Sequence, residues 1–229
     1  MQFNDQDGFL LPKPKALECR PDHQFSFLGN PSVEKIWNSY GAAVLKYADI
    51  YNINPVAALA TLATEAGAEG GFVNGRVTIR VEARPPILSR LRYGGGGAEF
   101  VKKYGKGQPG NWRALADWFK LQPDRSLQYT SFGVAQIMGF NAVDHCGYPS
   151  PMAMFDAFQD SADLQVKGFF DFVKTKDLIE TANQLTSSNN SVAVRHFVKK
   201  YNGPGQIPTY SGWLQSNLPT AKKIMAKVR

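Results

Sequence analysis

Only one stretch of this chain carries the two-residue alternation of a half-buried strand. Val77, Ile79 and Val81 alternate with Thr78, Arg80 and Glu82, and Pro85-Pro86 ends the run. Nearly every other patterned segment repeats at three and four residues. Asn30-Pro31 predicts a helix start, with Asn as N-cap and Pro at the first helical position. Val33, Ile36, Trp37, Tyr40, Val44 and Tyr47 then supply one inward apolar face. Asn54-Pro55 repeats the signal, and the segment it opens, VAALATLATEA, is Ala-rich and narrow enough for a central position. From Asn111, which reads as the cap of a helix carrying Trp112, Leu115, Trp118 and Phe119, the chain is almost wholly helical in pattern. Ser150-Pro151 and Ser161 cap two more segments, and later ones cover about 176–186, 190–200 and 210–228. Strands do not alternate with helices and no repeat is visible, which excludes a doubly wound sheet. The expected fold is α+β, predominantly helical, with many helices around one small sheet.

The length of 229 residues, with 43% hydrophobic and 20% charged residues, suits one folded domain with a real core and excludes general disorder. Residues 1–30 are Pro-rich and polar without periodicity, and read as an extended arm; residues 31–229 read as one compact domain. No run of about 18 apolar residues exists, so a spanning helix is not expected. The start, MQFNDQDGFLLPKPK, has neither a basic opening nor an apolar core, so no secretory signal is expected. Tyr93 and Gly94–Gly97 lack the Gly-Lys-Ser/Thr of a phosphate loop and read as a flexible connection. Cys19 and Cys146 are too few for a disulfide framework and are expected as thiols, and three scattered histidines do not complete a zinc site.

The net charge of +7 favours an anionic partner: nucleic acid, an anionic membrane or an anionic wall polymer. The basic residues are dispersed. Lys102-Lys103, Lys199-Lys200 and the tail from Lys222 to Arg229 are the densest spots, and none has the interleaved aromatics of a nucleic-acid platform.

Four places can carry chemistry. Glu65 falls at the end of the second helix, where the helix dipole disfavours its charge and no cation lies at Thr61 or Leu62. If buried, it would have a raised pKa, as a general acid for glycosidic cleavage requires; a solvated helix end fits the same residue. Glu82, on the polar strand face with Thr78 and Arg80, would supply the second carboxyl group that a glycosidase needs. An Arg80–Glu82 or Glu82–Arg84 pair on a solvated face fits it equally. In TSFGVAQIMGF, residues 130–140, Thr130 and Ser131 are N-cap types, Gly133 permits close approach, and Gln136 is the polar residue of an apolar helix start. Tyr201-Asn202-Gly203-Pro204-Gly205 is a turn with an aromatic and an amide before it, or a plain helix stop. The adjacent His145 and Cys146 are a weak nucleophile candidate, because chain neighbours rarely face each other.

Together these segments resemble the phage-type N-acetylmuramidases, endolysins with a lysozyme-like fold. YGAAVLKYADIYNINPVAALATLATEAGAEGGFVNGRVTIRVE, TSFGVAQIMGF, HCGY and KKYNGPG occur in that family's order, over roughly residues 35–228. The helix-end Glu with a later Gly-x-x-Gln is also similar to goose-type lysozymes and lytic transglycosylases. The resemblance implies cleavage of the β-1,4 bond between N-acetylmuramic acid and N-acetylglucosamine. It makes Glu65 the general acid and Glu82 the second carboxylate, as base or electrostatic partner. Thr130 or Ser131 would position the water, and Gln136, Tyr201 and Asn202 would line the sugar cleft. No metal or organic cofactor is implied. The partner is the glycan of bacterial peptidoglycan, with no nucleic acid and no stable membrane insertion, and the protein is expected to be a monomer. It would be made in the bacterial host cytoplasm without a signal peptide and act on the periplasmic or external wall after release. The peptidoglycan-binding module often found at the N-terminus of the family does not fit into thirty residues. The rival readings are a lytic transglycosylase acting on the same bond, a non-catalytic wall-binding module and, least favoured, a nucleic-acid binder.

Overall fold

The computed structural model describes residues 19–67, 69–82, 98–186 and 190–228. Pro85-Pro86, Arg84, Tyr93, Gly94–Gly97, Arg229 and most of the N-terminal arm lie outside the described residues. The helices are α1 (Pro31–Tyr51), α2 (Pro55–Ala66), α3 (Ala98–Tyr104), α4 (Gly107–Leu121), α5 (Pro123–Gln128), α6 (Ala142–Cys146), α7 (Pro151–Asp160), α8 (Ala162–Thr175), α9 (Ile179–Asn183), α10 (Ser191–Tyr201) and α11 (Ile207–Val228). Two small antiparallel sheets accompany them. One pairs β1 (Phe72–Val73) with β2 (Arg76–Val77), and the other orders β3 (Ile79–Val81), β4 (Thr130–Phe132) and β5 (Ile137–Met138) side by side. The fold is a predominantly helical, lysozyme-like α+β arrangement.

The two Asn-Pro steps start helices for the reason the sequence suggests. Asn30 Oδ1 accepts from the Ser32 amide at 2.9 Å, and Asn54 Oδ1 from the Val56 amide at 2.9 Å. Ser150 and Ser161 cap α7 and α8 in the same way, through Ala153 and Leu164. The six residues of the expected inward face of α1, Val33, Ile36, Trp37, Tyr40, Val44 and Tyr47, are all buried. Helix α2 is buried nearly all round, packed between α1 and α11, which its small Ala side chains permit. It stops at Gly67, whose φ of +52° is one that a side chain rarely adopts. Residues 19–30 pack on α1. The Glu34 carboxylate accepts from the amides of Phe27, Leu28 and Gly29, and Asn38 exchanges two hydrogen bonds with Phe25.

Several sequence expectations change. The single strand over 77–81 is broken at Thr78. Val77 belongs to a hairpin whose turn, Asn74-Gly75, has positive φ at both residues, while Ile79–Val81 joins the other sheet. Thr78 is buried rather than on an open polar face, with its hydroxyl on the Gly70 carbonyl at 2.8 Å. TSFGVAQIMGF is a β-hairpin, not a helix start: β4, a turn over 133–136, then β5. Gln136 sits in that turn at φ +48°. Asn111 does not cap α4, which begins four residues earlier at Gly107; α9 is shorter than the expected 176–186.

Asn111 and its neighbour Gln108 cover the outer edge of β3 instead. Gln108 Oε1 accepts from the Ile79 amide at 2.9 Å and Nε2 donates to the Ile79 carbonyl at 3.0 Å. Asn111 Oδ1 accepts from the Val81 amide at 3.1 Å. Two side-chain amides, three residues apart on one helix, thus stand in for a missing strand and satisfy an edge that would otherwise lack partners. Cys19 and Cys146 are both buried and are not joined by a disulfide. No helix among the described residues is long and apolar enough to cross a membrane.

Candidate active site

A groove of about 450 Å³ runs between the end of α2, the face of the β3–β4–β5 sheet, the start of α4 and the junction of α10 with α11. Arg80, Ser131 and Met138 lie in register across the three strands, and all three line it. Glu65 and Glu82 both open into it.

Glu65 is half-buried one residue from the end of α2. Its pKa is raised from 4.5 to about 7, first by burial; the Asn202 hydrogen bond and the positive charge of Arg80 act in the opposite direction. Asn202 Nδ2 donates to Glu65 Oε1 at 2.7 Å, so one carboxyl oxygen is held in place. Asn202 also ends α10, its amide on the Val198 carbonyl at 2.8 Å, and Gly203 follows at φ +84°. The YNGPG segment is therefore a helix stop by its backbone and a partner of Glu65 by its side chain. Glu82 lies at the end of β3, held by its amide on the Tyr129 carbonyl at 2.8 Å. Its Oε1 is 3.1 Å from Arg80 Nε, with the two side chains 29% and 52% exposed. The ion pair and the groove position coexist, and Arg80 acts electrostatically on both carboxyl groups.

The other candidates separate. Ser131 is on the groove face, its hydroxyl 3.0 Å from Gln136 Oε1. Thr130, which alternation turns to the opposite face, is fully buried and does not line the groove; its hydroxyl donates to the Ser126 carbonyl at 2.8 Å. The expectation that Thr130 positions a water is therefore corrected. Gln136 lines the groove, but its amide also closes the hairpin turn, with Nε2 on the Gly133 carbonyl at 2.8 Å. Tyr201 lines the groove, yet one ring face is stacked on Phe197 at 5.4 Å and Phe172 meets it edge-on at 5.2 Å. Cys146 and His145 form no nucleophile pair: the thiol is buried with its pKa pushed up to about 12 by burial, and it points to the Gly168 carbonyl.

Sequence reasoning missed the parts played by four residues. Tyr210, from the first turn of α11, lines the groove, and its pKa is raised by burial and then by Glu65. The pair Gln108 and Asn111 was legible as two amides at helical spacing. Gln165 was hidden, a single Gln in an amphipathic helix. It is fully buried, its Oε1 accepting from the Val134 amide at 2.8 Å and its Nε2 donating to the carbonyls of Phe158 at 2.8 Å and Gly71 at 3.3 Å.

A helical α+β fold with a small antiparallel sheet beside an acidic groove defines the lysozyme-like class of glycoside hydrolases. The profile of the Muramidase family, described as N-acetylmuramidase, matches residues 54–221, and the chain belongs to that family. The crystal structure of the Burkholderia AP3 phage endolysin is similar, with 25% sequence identity and a TM-score of 0.60 over 82% of this chain and 71% of that one. No curated protein matches the chain significantly. The protein is a glycoside hydrolase with lysozyme-type activity, and its substrate is peptidoglycan.

Proposed function

We propose that the protein is an endolysin that cleaves the β-1,4 bond between N-acetylmuramic acid and N-acetylglucosamine, with Glu65 as general acid and Glu82 as second carboxylate. One observation carries the reading: both carboxyl groups open into one groove, and burial holds the Glu65 pKa at about 7. A carboxyl group with that pKa is substantially protonated at neutral pH and can protonate the leaving oxygen. Glu82, paired with Arg80, serves as the second carboxylate that stabilises the developing positive charge or activates water. Ser131 is better placed than Thr130 to orient that water, since only its hydroxyl is on the groove face. Gln136, Tyr201 and Asn202 bound the sugar-binding walls. The net charge of +7 suits an anionic wall. In this reading residues 31–229 are the catalytic domain, residues 1–30 an arm, and the enzyme works as a monomer on wall it reaches after release.

Digestion of purified sacculi with mass spectrometry of the products tests the reading. Reducing muramic ends are expected. Products ending in 1,6-anhydro-muramic acid would make the enzyme a transglycosylase, and binding without cleavage would make it a wall-binding module.

Two substitutions separate roles within the site. Glu82→Ala is expected to cut kcat/KM on sacculi roughly 10- to 100-fold, since a lost catalytic carboxylate costs toward the lower end of acid–base effects. Its stability should change by no more than about 0.5 kcal/mol, because a half-exposed ion pair contributes little. A Glu82→Ala protein of normal activity would leave Glu65 to act alone. Asn202→Ala is expected to lower activity about tenfold and to move the alkaline limb of the pH profile upward. The Asn202 amide favours ionised Glu65, so losing it raises the Glu65 pKa. A fall in melting temperature with an unchanged profile would reduce Asn202 to a helix stop.

A further inference from the structure

Trp213 is the one tryptophan of four that solvent reaches: it is 51% exposed, whereas Trp37, Trp112 and Trp118 are at most 5% exposed. A single half-exposed indole is ordinary on a protein surface. Its position is what singles this one out. Tyr210 lines the groove from the first turn of α11, Gln206 lines it from the turn just before that helix, and Trp213 lies three residues beyond Tyr210 on the same helix. The Trp213 and Tyr210 rings meet at 5.1 Å with 61° between their planes, so the groove wall runs on into an exposed aromatic corner. Tyr201, by contrast, has its ring engaged by Phe197 and Phe172 and cannot offer this surface.

We propose that Tyr210 and Trp213 form a peripheral subsite that stacks on a pyranose ring of the glycan strand beyond the scissile bond. The inference rests on the reading of the groove as the glycan site. The apolar face of a sugar ring, with its axial C–H bonds, packs against an indole, while the ring hydroxyls stay in water. An amphipathic Tyr beside it supplies contact area and a hydroxyl at little entropic cost. Continuity with the groove singles out the substrate strand itself as the occupant. A stacking contact made equally in the ground and transition states lowers KM for longer strands without raising kcat.

The test uses the full chain carrying Glu65→Gln, so that substrate is bound and not consumed, and soluble peptide-free strands of alternating N-acetylmuramic acid and N-acetylglucosamine. Iodide quenches only exposed indoles, so the quenchable fluorescence reports Trp213. We expect saturating strands to remove that quenching and shift the emission to the blue, and expect no such change in the doubly substituted protein with Trp213→Ala. In the otherwise native enzyme, Trp213→Ala should raise KM for long strands about five- to tenfold, with a much smaller change for tetrasaccharides; Trp213→Tyr should restore most of the loss. If strands are cleaved normally while Trp213 stays open to iodide at saturation and Trp213→Ala leaves KM unchanged, the subsite is refuted and the groove reading stands. If the native enzyme neither binds nor cleaves the strands, the groove reading falls and takes the subsite with it.

Discussion

Glu65→Gln should fold normally and lose about 10²- to 10⁴-fold in kcat/KM on purified sacculi. The amide keeps the size of the side chain and its contact with Asn202 is adjustable by rotation, whereas the transferable proton is gone. The native pH profile should fall as pH rises through about 7, where Glu65 loses its proton. A folding signature accompanies the catalytic one. The Glu65 pKa is raised above its ordinary value of 4.5, so ionising it costs the folded state more than the unfolded chain. That cost is absent below about 4.5, grows between 4.5 and about 7, and is complete above. Glu65→Gln removes it, so the variant should be more stable than the native protein at pH 8 and lose that advantage at pH 4. Denaturant titrations at the two pH values measure it. Native-like turnover in the variant would transfer the acid role elsewhere, with Glu69, which also lines the groove and accepts from Gln108 at 2.7 Å, the first alternative.

What was legible in the sequence follows a physical division. Local signals worked: Asn-Pro and Ser caps bind amides within three residues, so the start of α1, α2, α7 and α8 could be read directly. The placement of Glu65 at a helix end and of Glu82 beside Arg80 also came from local periodicity. Failures came where pairing is non-local. Gly133 and Gln136 adopt positive φ, the mark of a tight turn, but the apolar neighbours Val134 and Ile137 mimic a helix start. The turn is held by Gln165, 31 residues from Val134, which no window could reveal. The Asn111 side chain looks like a cap and instead serves a strand 30 residues away. Composition also cannot tell an exposed aromatic from one stacked on a neighbour, as Tyr201 is on Phe197. The Asn74-Gly75 turn was present in plain sight, and reading it would have revealed the hairpin of β1 and β2, though not the break at Thr78.

Gln165→Leu should be the most destabilising single change near the site, and it should disable a groove that it does not touch. Gln165 lies in α8 with no exposed surface, and its amide joins three separate backbone segments: the hairpin turn at Val134, the end of α7 at Phe158 and the loop at Gly71. Leu has nearly the same volume and leaves those groups facing an apolar side chain. The Gly71 carbonyl keeps a second partner in the Thr78 amide at 2.9 Å, so two groups, the Val134 amide and the Phe158 carbonyl, bear the loss. At roughly 1–3 kcal/mol for each buried unsatisfied group, the expected cost is about 4 kcal/mol. The neighbouring glycines show that the amide fits a closed space. A Cβ on Gly71 would collide with Gln165 Oε1 and the Tyr40 hydroxyl, and one on Gly133 would come within 2.8 Å of Gln165 Oε1. Relaxation around Leu is therefore restricted, and the displaced parts are the hairpin that carries Ser131 and Gln136 and the loop that leads to Thr78 and Arg80. Chemical denaturation should show a midpoint far below native with a similar m-value. Activity measured well below that midpoint should still fall, since a shift of about 1 Å at positioning groups can cost on the order of 10²-fold. Gln165→Glu separates shape from charge: the ionised carboxylate would face the Phe158 and Gly71 carbonyls in a fully buried site and should be no more stable than Leu at neutral pH, whereas the protonated acid can accept from Val134 and donate to Phe158, so part of the stability should return as the pH falls. A Gln165→Leu protein with native stability and activity would mean that the hairpin and the Gly71 loop hold their places without it.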